Sequence, residues 1–363
     1  MSKEYVIVQN SVRTTAAFRK PYIKLLLKKG RVFLVAPNDC PDSEEELKRM
    51  GVHIYRVPQV KSIFTFLSSV FISNFLIIKH RFRGDIFICH FLVTLLMNYF
   101  SLTPFNKRLL IYVEGLGSLF TQKAGLQRLV KLMLKANKGK VLFCNNDEKR
   151  IIGSYSDIVT GGIGVDLNKF KLVSGEVRTS DELRLLYVGR LIKDKGVEDV
   201  LSVFEKVLAV NSNVKLVLVG ERYANNPSSL TLDDIDFYKE KFKGKIDFVG
   251  YKKDVRPYYK NSDALLLPSK REGFPVSAME ANAYGLPVLG YNVPGVKDAI
   301  VDGINGVLVE YGNIALLSKA TLSLLNEQTL SDYRRRSYEY AINNFNAEDK
   351  ALKLVNLLDN LHS

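Results

Sequence analysis

The sequence is poor in the residues that build metal sites and disulfide frameworks. Its three cysteines, Cys40, Cys89 and Cys144, are odd in number, far apart and form no CxxC pair. They read as free thiols of a reducing cytoplasm, which excludes a disulfide scaffold. The four histidines, His53, His80, His90 and His362, show no ligand spacing, so no metal site is expected. No G-x-x-x-x-G-K-[ST] loop occurs, which argues against a P-loop enzyme, and no G-x-G-x-x-G follows the first strand, which argues against a dinucleotide oxidoreductase. Long apolar runs are lacking too. The start, MSKEYVIVQN, is apolar only from Tyr5 to Val8, too short for the core of a signal peptide. Acidic residues are scarce in one half. Residues 1–170 hold 26 lysines and arginines against 12 acids, and residues 171–363 hold 26 of each, so the whole net charge of +14 lies in the first half. Such a balance attracts nucleic acid, anionic lipid or phosphorylated substrates, or simply keeps the surface soluble.

The longest stretch without Asp, Glu, Lys, Arg or His is residues 62–78, SIFTFLSSVFISNFLII, short of the roughly 20 residues a spanning helix needs. Ser62, Thr65, Ser69 and Ser73 recur in it at helical spacing as a thin polar stripe, and Lys61, Lys79, His80, Arg81 and Arg83 flank it. Two readings compete. One is a buried helix packed on a sheet. The other is a helix dipping into a membrane interface, held there by its basic flanks.

What is present is an alternation of short apolar runs and helix-period segments over 363 residues. The length suits two domains, and the alternation is that of parallel sheets with crossover helices. Strands are expected at Tyr5–Val8, Val32–Ala36, His53–Val57, Asp85–Cys89, Arg108–Val113 and Val141–Cys144, then at Leu183–Val188, Val214–Val219, Ile246–Val249, Ala264–Leu267 and Pro287–Leu289. The fold class is therefore α/β, with two Rossmann-like doubly wound domains facing a cleft. The first is placed at residues 1–170 and the second at 182–345. A polar linker joins them at 171–181, and a helix at 346–363 is expected to pack back on the first domain.

Ligands of such sheets bind beyond the carboxyl ends of the strands, and two motifs lie there. In YVGRLIKDKGVEDV (187–200) a strand ends at Val188 and Arg190 and Lys195 occupy the loop before a helix. Two cations in that position suit a diphosphate. In LLLPSKREGFPVSAMEANAYGLPVL (265–289) a loop follows Pro268, Pro275 opens a helix, and Gly285 ends it. Glu272 lies in the loop and Glu280 about five residues into the helix. They are too far apart for a close carboxylate pair, but suit two parts of one elongated ligand. Read blandly, Glu280 is a solvated helix residue, although Ala278, Met279, Ala281 and Ala283 make its surroundings apolar.

These motifs resemble family 4 of the retaining glycosyltransferases, which have the GT-B architecture. The likeness is carried by RLIKDKG, by PSKREGFPVSAMEANAYGLPVL, by GGIGVDLNKF (161–170) and by YNVPGVKDAIVDGINGVLVE (291–310). More loosely, SVRTTAAFRKPYIKLLLKKGRVFLVAPND, IYVEGLGSLF and VLFCNNDEKR resemble the branch that builds bacterial surface polysaccharides on polyprenyl-diphosphate carriers.

The resemblance implies that Arg190 and Lys195 bind the donor's phosphates. It implies that Glu280 holds ribose hydroxyls and that Glu272 contacts hydroxyls of the donor sugar. Backbone around Gly273, Phe274, Pro275 and Val276 would complete the site, and loop geometry near Gly250 and Tyr251 would select the base. In the first domain His90 follows a strand, where relatives often carry a histidine. Glu114 stands where many have a second one. Glu114 is thus a candidate to position or deprotonate the acceptor hydroxyl, with a buried paired carboxylate as the equal alternative. The loop Asn10–Ala16 is expected to face the diphosphate or the acceptor. No cofactor and no metal are implied beyond a nucleotide-sugar co-substrate, a UDP-sugar first and a GDP-sugar as the alternative. The implied partners are a polyprenyl-diphosphate-linked saccharide and an anionic membrane surface, not nucleic acid, with a cytoplasmic location at the inner face of the membrane. A basic nucleic-acid binder is the competing class, and a nucleotide-sugar epimerase of the same fold a more distant one.

Overall fold

A computed structural model describes residues 3–103, 106–117, 123–171, 182–223 and 226–361. The chain divides into two compact units, residues 1–163 with 347–363, and residues 164–346.

The first unit is built on seven parallel strands. They are β1 (Lys3–Val8), β2 (Gly30–Pro37), β3 (His53–Val57), β4 (Ile86–His90), β5 (Leu109–Val113), β6 (Lys140–Phe143) and β7 (Ile158–Val159), in the order β3-β2-β1-β4-β5-β6-β7. Tyr5–Val8, Val32–Ala36 and Ile86–His90 are buried on both faces, as central parallel strands covered by helices must be. The helices are α1 (Val12–Phe18), α2 (Lys20–Leu27), α3 (Pro41–Arg49), α4 (Ile63–Arg81), α5 (Leu92–Met97), α6 (Tyr99–Leu102), α7 (Ala124–Ala136) and α8 (Asn146–Ile152). Helices α4 to α8 send Ile77, Leu92, Leu95, Leu102, Val130, Leu134 and Ile152 into one core with Val6, Val8, Phe87, Cys89 and Ile111 of the sheet.

The second unit has six parallel strands: β8 (Leu183–Val188), β9 (Val214–Val219), β10 (Ile246–Gly250), β11 (Ala264–Leu267), β12 (Val288–Tyr291) and β13 (Gly306–Val309), in the order β10-β9-β8-β11-β12-β13. Its helices are α9 (Val197–Val210), α10 (Leu232–Lys241), α11 (Arg256–Lys260), α12 (Val276–Ala283), α13 (Val296–Ala299), α14 (Ile314–Ser323) and α15 (Glu327–Asn344). The apolar face of α9, from Val197 to Val207, is wholly buried on the sheet. The last helix, α16 (Ala347–Asp359), belongs to the first unit. It lies against α2, buries Ala351, Leu354, Val355 and Leu358, and ties Asp359 to Lys3 and Lys29.

Three sequence expectations need correction. The boundary falls at Ile163 and Gly164 rather than after Phe170. Val165 donates its N–H to Phe345 (2.7 Å), and the Phe170 ring packs edge-on against Tyr259 and Tyr284, so 164–170 belong to the second unit. Of the expected linker, residues 172–181 lie outside the described residues. The expected loop Asn10–Ala16 is mostly helix. Ser11 caps α1 by accepting from the Thr14 N–H, and Asp39 accepts from the N–H of Val12 at 2.8 Å. Finally, α4 is not a buried helix. Its serine stripe faces the protein and most of its phenylalanines face outward.

Candidate functional site

In both sheets the order reverses once, between β1 and β4 and between β8 and β11. Loops leaving the two strands at such a point diverge and leave room for a ligand. In the second unit the loops are Gly189–Gly196 after β8 and Pro268–Pro275 after β11, the two that hold the sequence motifs.

Their backbones are locked together. Lys193–Lys195 form one 3-10 turn, ended by Gly196 in the left-handed region (φ 72°). A Cβ at Gly196 would lie 2.1 Å from the carbonyl oxygen of Pro268, so only glycine allows this approach. Lys270 N–H donates to Asp194 O at 3.0 Å, and Arg271 reaches the Asp194 carboxylate at 3.2 Å. On its other side Glu272 donates its N–H to Pro294 O (3.0 Å). Gly295 (φ 79°) backs onto Glu272 so closely that a Cβ would sit 2.0 Å from its carbonyl oxygen. The result is that Lys195 Nζ donates to both Glu272 oxygens, at 2.7 and 2.6 Å. The sequence assigned these two residues to different parts of a ligand; the fold brings them into one ion pair.

Arg190 stands apart and exposed, with its guanidinium 5.5 Å from the centre of the Tyr223 ring and its carbonyl accepting from the Tyr187 hydroxyl. Tyr251 is exposed beyond β10, with β9 between that strand and β8. Helix α12 starts at Val276 after Pro275, while the Phe274 side chain turns into the protein against Phe345. The far end of α12 is fixed by a buried amide pair. Asn305 donates to Asn282 Oδ1 (2.8 Å), and Asn282 donates to Leu286 O and Asn305 O.

Glu280, on α12, accepts from the Tyr259 hydroxyl at 2.9 Å. Tyr259 is fully buried and stacked on Tyr284 with 6.0 Å between ring centres. Burial of the Glu280 carboxyl pushes its pKa up to about 7, and the Tyr259 hydrogen bond only partly opposes this. The sequence reading missed Tyr259. Nothing in RPYYKN marks which tyrosine turns inward; that depends on the packing of α11 under α12.

In the first unit the reversal carries a buried network. His90 ends β4 and Glu114 follows β5, its neighbour in the sheet. Arg19, from the start of α2, forms an ion pair with Glu114, and His90 Nδ1 lies 2.6 Å from the other Glu114 oxygen. Burial acts to raise the Glu114 pKa, but the charge of Arg19 and the contact with His90 hold it below the ordinary value. Burial, aided by Arg19, lowers the His90 pKa to about 4. His90 is therefore neutral, donates from Nδ1 to Glu114, and accepts at Nε2 from the Tyr22 hydroxyl (2.8 Å). Phe91, next in the chain, is strained at φ 68° and lies under Arg19.

Both His90 and Glu114 are thus satisfied inside the fold. Glu114→Ala is expected to destabilise the first unit by about 3–5 kcal/mol, because it leaves the Arg19 charge buried without a partner. Chemical denaturation of the purified variant measures this. A loss of turnover at unchanged stability would instead make Glu114 an acceptor base.

Beside Arg19 and Tyr22 lies a cavity of about 170 Å³, also lined by Tyr112, Thr160, Lys350 and Leu354. Lys350, which the sequence reading did not single out, donates to Thr160 O (2.7 Å), and burial lowers its pKa to about 8. Among the described residues, one cluster has the geometry of a metal site: Glu4, His80 and Asp85. They are scattered in sequence, so no ligand spacing could reveal them. Arg31 pairs with Glu4, Arg83 lies 3.8 Å from it, and His80 Nδ1 is 2.7 Å from Asp85, so basic side chains already engage the cluster, while Glu4 Oε2 and His80 Nε2 are buried without a hydrogen-bond partner.

Residues 170–344 match the family model described as glycosyl transferases group 1. This segment is a group 1 glycosyltransferase domain. The chain is 28% identical over 149 residues to the capsular polysaccharide biosynthesis glycosyltransferase CapM of Staphylococcus aureus, a match covering 39% of this chain and 38% of that protein. It is 25% identical over 336 residues to the N,N'-diacetylbacillosaminyl-diphospho-undecaprenol alpha-1,3-N-acetylgalactosaminyltransferase of Campylobacter jejuni, covering 80% of this chain and 81% of that one. In structure it resembles Anabaena Alr3699/HepE in complex with UDP and glucose, with a TM-score of 0.79 at 13% identity over 99% of this chain and 100% of that chain. The group 1 domain contains the whole Lys195–Glu272 site and Glu280. The two-sheet architecture is that of GT-B glycosyltransferases.

Proposed function

We propose that the protein is a retaining, metal-independent glycosyltransferase of bacterial surface-polysaccharide assembly. It transfers a sugar, with an N-acetylhexosamine as the first choice, from a UDP-sugar to a polyprenyl-diphosphate-linked saccharide at the cytoplasmic face of the membrane. The observation that carries this reading is the Lys195–Glu272 pair, fixed by glycine-only approaches at the reversal point of the second sheet. The Campylobacter relative, named for a diphospho-undecaprenol acceptor, supports the acceptor class, and the Anabaena neighbour, bound to UDP, supports the nucleotide.

In this reading Lys195 and Arg190 stabilise the charge that grows on the departing diphosphate. Glu272 orients sugar hydroxyls, and Glu280 accepts from the two ribose hydroxyls. The bond between the anomeric carbon and the phosphate oxygen breaks, and the acceptor oxygen attacks from the same face. Its proton passes to the leaving phosphate, so no protein nucleophile is required. The first unit receives the acceptor. A panel of UDP- and GDP-sugars, offered with short polyprenyl-diphosphate saccharides and followed by mass spectrometry, tests this. Transfer from a UDP-sugar, undiminished by EDTA, with the anomeric configuration retained by NMR, is the expected result. Transfer only from a GDP-sugar, or its abolition by EDTA, would refute the respective part.

A further inference from the structure

Helix α4 is amphipathic in the unusual sense. Its polar side chains face the protein: Ser69, Ser73 and His80 are buried, Ser73 Oγ lies 2.6 Å from Asn98 Oδ1, and Asn74 donates to Met97 O. Its apolar side chains face outward. Phe64, Leu67, Phe71, Phe75, Ile78 and Phe82 recur every three or four residues along one side, a row about 27 Å long at helical rise. Phe64 and Phe71 are each 75% exposed and Phe82 is 90% exposed. Single apolar residues on a surface are ordinary, but four aligned phenylalanines are not. The same helical layer adds Phe100 of α6, 84% exposed, and Leu129 and Leu132 of α7. All three helices are backed by one core.

The charge around this row has one sign. From Pro58 to Lys140 the chain carries 12 lysines and arginines and only two acids, Asp85 and Glu114. Both acids are spent inside the fold, on His80 and on Arg19 with His90. Lys61, Lys79 and Arg83 flank the apolar row and are exposed, and Lys131 and Lys135 are exposed on α7. Helix α3, which lies outside this core, carries Asp42, Glu44, Glu45 and Glu46 instead.

We propose that this face of the first unit docks on an anionic lipid bilayer. Helix α4 lies in the plane of the interface, its phenylalanines reach the acyl chains, and its flanking cations meet the lipid phosphates. A second copy of the chain fits less well, because two such faces would press like-charged rims together. By length and composition α4 would suffice to cross a membrane. Crossing, however, would strip it from the sheet and break both the Ser73–Asn98 bond and the His80–Asp85 pair. The docking rests on the proposed function only for its purpose, delivery of a lipid-linked acceptor; lipid binding itself needs neither donor nor acceptor.

The absence of tryptophan makes the test direct. In Phe71→Trp the new residue is the sole tryptophan. On vesicles of phosphatidylglycerol and phosphatidylcholine its emission is expected to shift to the blue and to be quenched by acyl-chain bromolipids. Phe237→Trp, at an exposed site of the second unit, is expected to do neither. The pair Phe71→Ser with Phe75→Ser is expected to weaken vesicle partition at least about tenfold at unchanged melting temperature, since only exposed apolar area is removed. High salt or vesicles without anionic lipid weaken the wild type. The proposal is overturned if the Phe71→Trp probe stays solvent-exposed on anionic vesicles, or if binding ignores salt and lipid charge. It is also overturned if the serine pair binds as wild type, or if the serine pair dissolves a dimer seen without lipid. Insertion of the probe in a protein that transfers no sugar leaves docking standing and refutes the function; transfer without insertion does the reverse.

Discussion

Lys195→Ala is expected to lower the turnover of sugar transfer about 100- to 1,000-fold, the range found when one preorganised group is removed from a site of developing negative charge. The melting temperature should change by only a few degrees, because the Lys195–Glu272 pair is partly open to solvent and pairs of that kind contribute about 1 kcal/mol or less. The asymmetry follows from how the lysine is held. Its backbone is pinned by the Gly196 approach to Pro268 and by the bond from Lys270 to Asp194, neither of which needs the side chain. Truncation therefore removes the charge and leaves the loop. Glu272→Ala should act on the same unit. The double variant is expected to lose little more than the worse single one, since two groups in direct contact do not contribute independently. Lys195→Arg should not restore the rate, because a planar fork cannot place its charge where a compact ammonium sits between two carboxylate oxygens. Steady-state kinetics with matched thermal melts decides the matter. A near-normal rate for Lys195→Ala would remove the site from the proposal.

The parts of this molecule that a reader of the sequence can see are those governed by local pattern. Strands β8, β9 and β11 start and stop where the apolar runs do, since both faces are covered and nothing competes with the run; β3 does so too, although it is a partly exposed edge strand. The short edge strands β7 and β13 escape notice. Lys195 and Glu272 are legible because strand ends mark loops, but not their pairing, which depends on the adjacency of β8 and β11 across 77 residues. The triangle of Arg19, Glu114 and His90 is hidden for the same reason, and so is the support that Tyr259 gives Glu280. Helix α4 misleads in a different way. A run rich in phenylalanine normally signals burial, and serines on one side normally signal solvent. Here Ser69 and Ser73 are buried and Ser73 bonds to Asn98 at the junction of α5 and α6, so the rule inverts.

Glu280→Gln is expected to weaken nucleotide binding at least about tenfold at pH 8 while raising the melting temperature there by about 2–4 °C, the shift that roughly 1 kcal/mol produces in a domain of this size. The opposing signs come from one carboxylate. An ionised carboxylate offers acceptors only, which suits two vicinal ribose hydroxyls that must both donate. Holding that charge away from water is unfavourable, the Tyr259 hydrogen bond only partly opposes this, and the pKa rises from 4.5 to about 7. A group whose folded pKa is raised binds more protons in the folded state between these values. Its stabilising contribution is fully present below pH 4.5 and is lost as pH rises through 7. Glutamine escapes that loss. The gain in melting temperature should therefore be largest at pH 8 and shrink toward pH 5. Wild-type affinity for UDP should fall on acidification through pH 7, whereas that of Glu280→Gln stays flat. Calorimetric titration of UDP and thermal melts across this pH range test both halves together. A stability gain that does not depend on pH would mean that Glu280 does not titrate in this range, and that its bond to Tyr259, rather than a readiness to accept from ribose, is what keeps it in place.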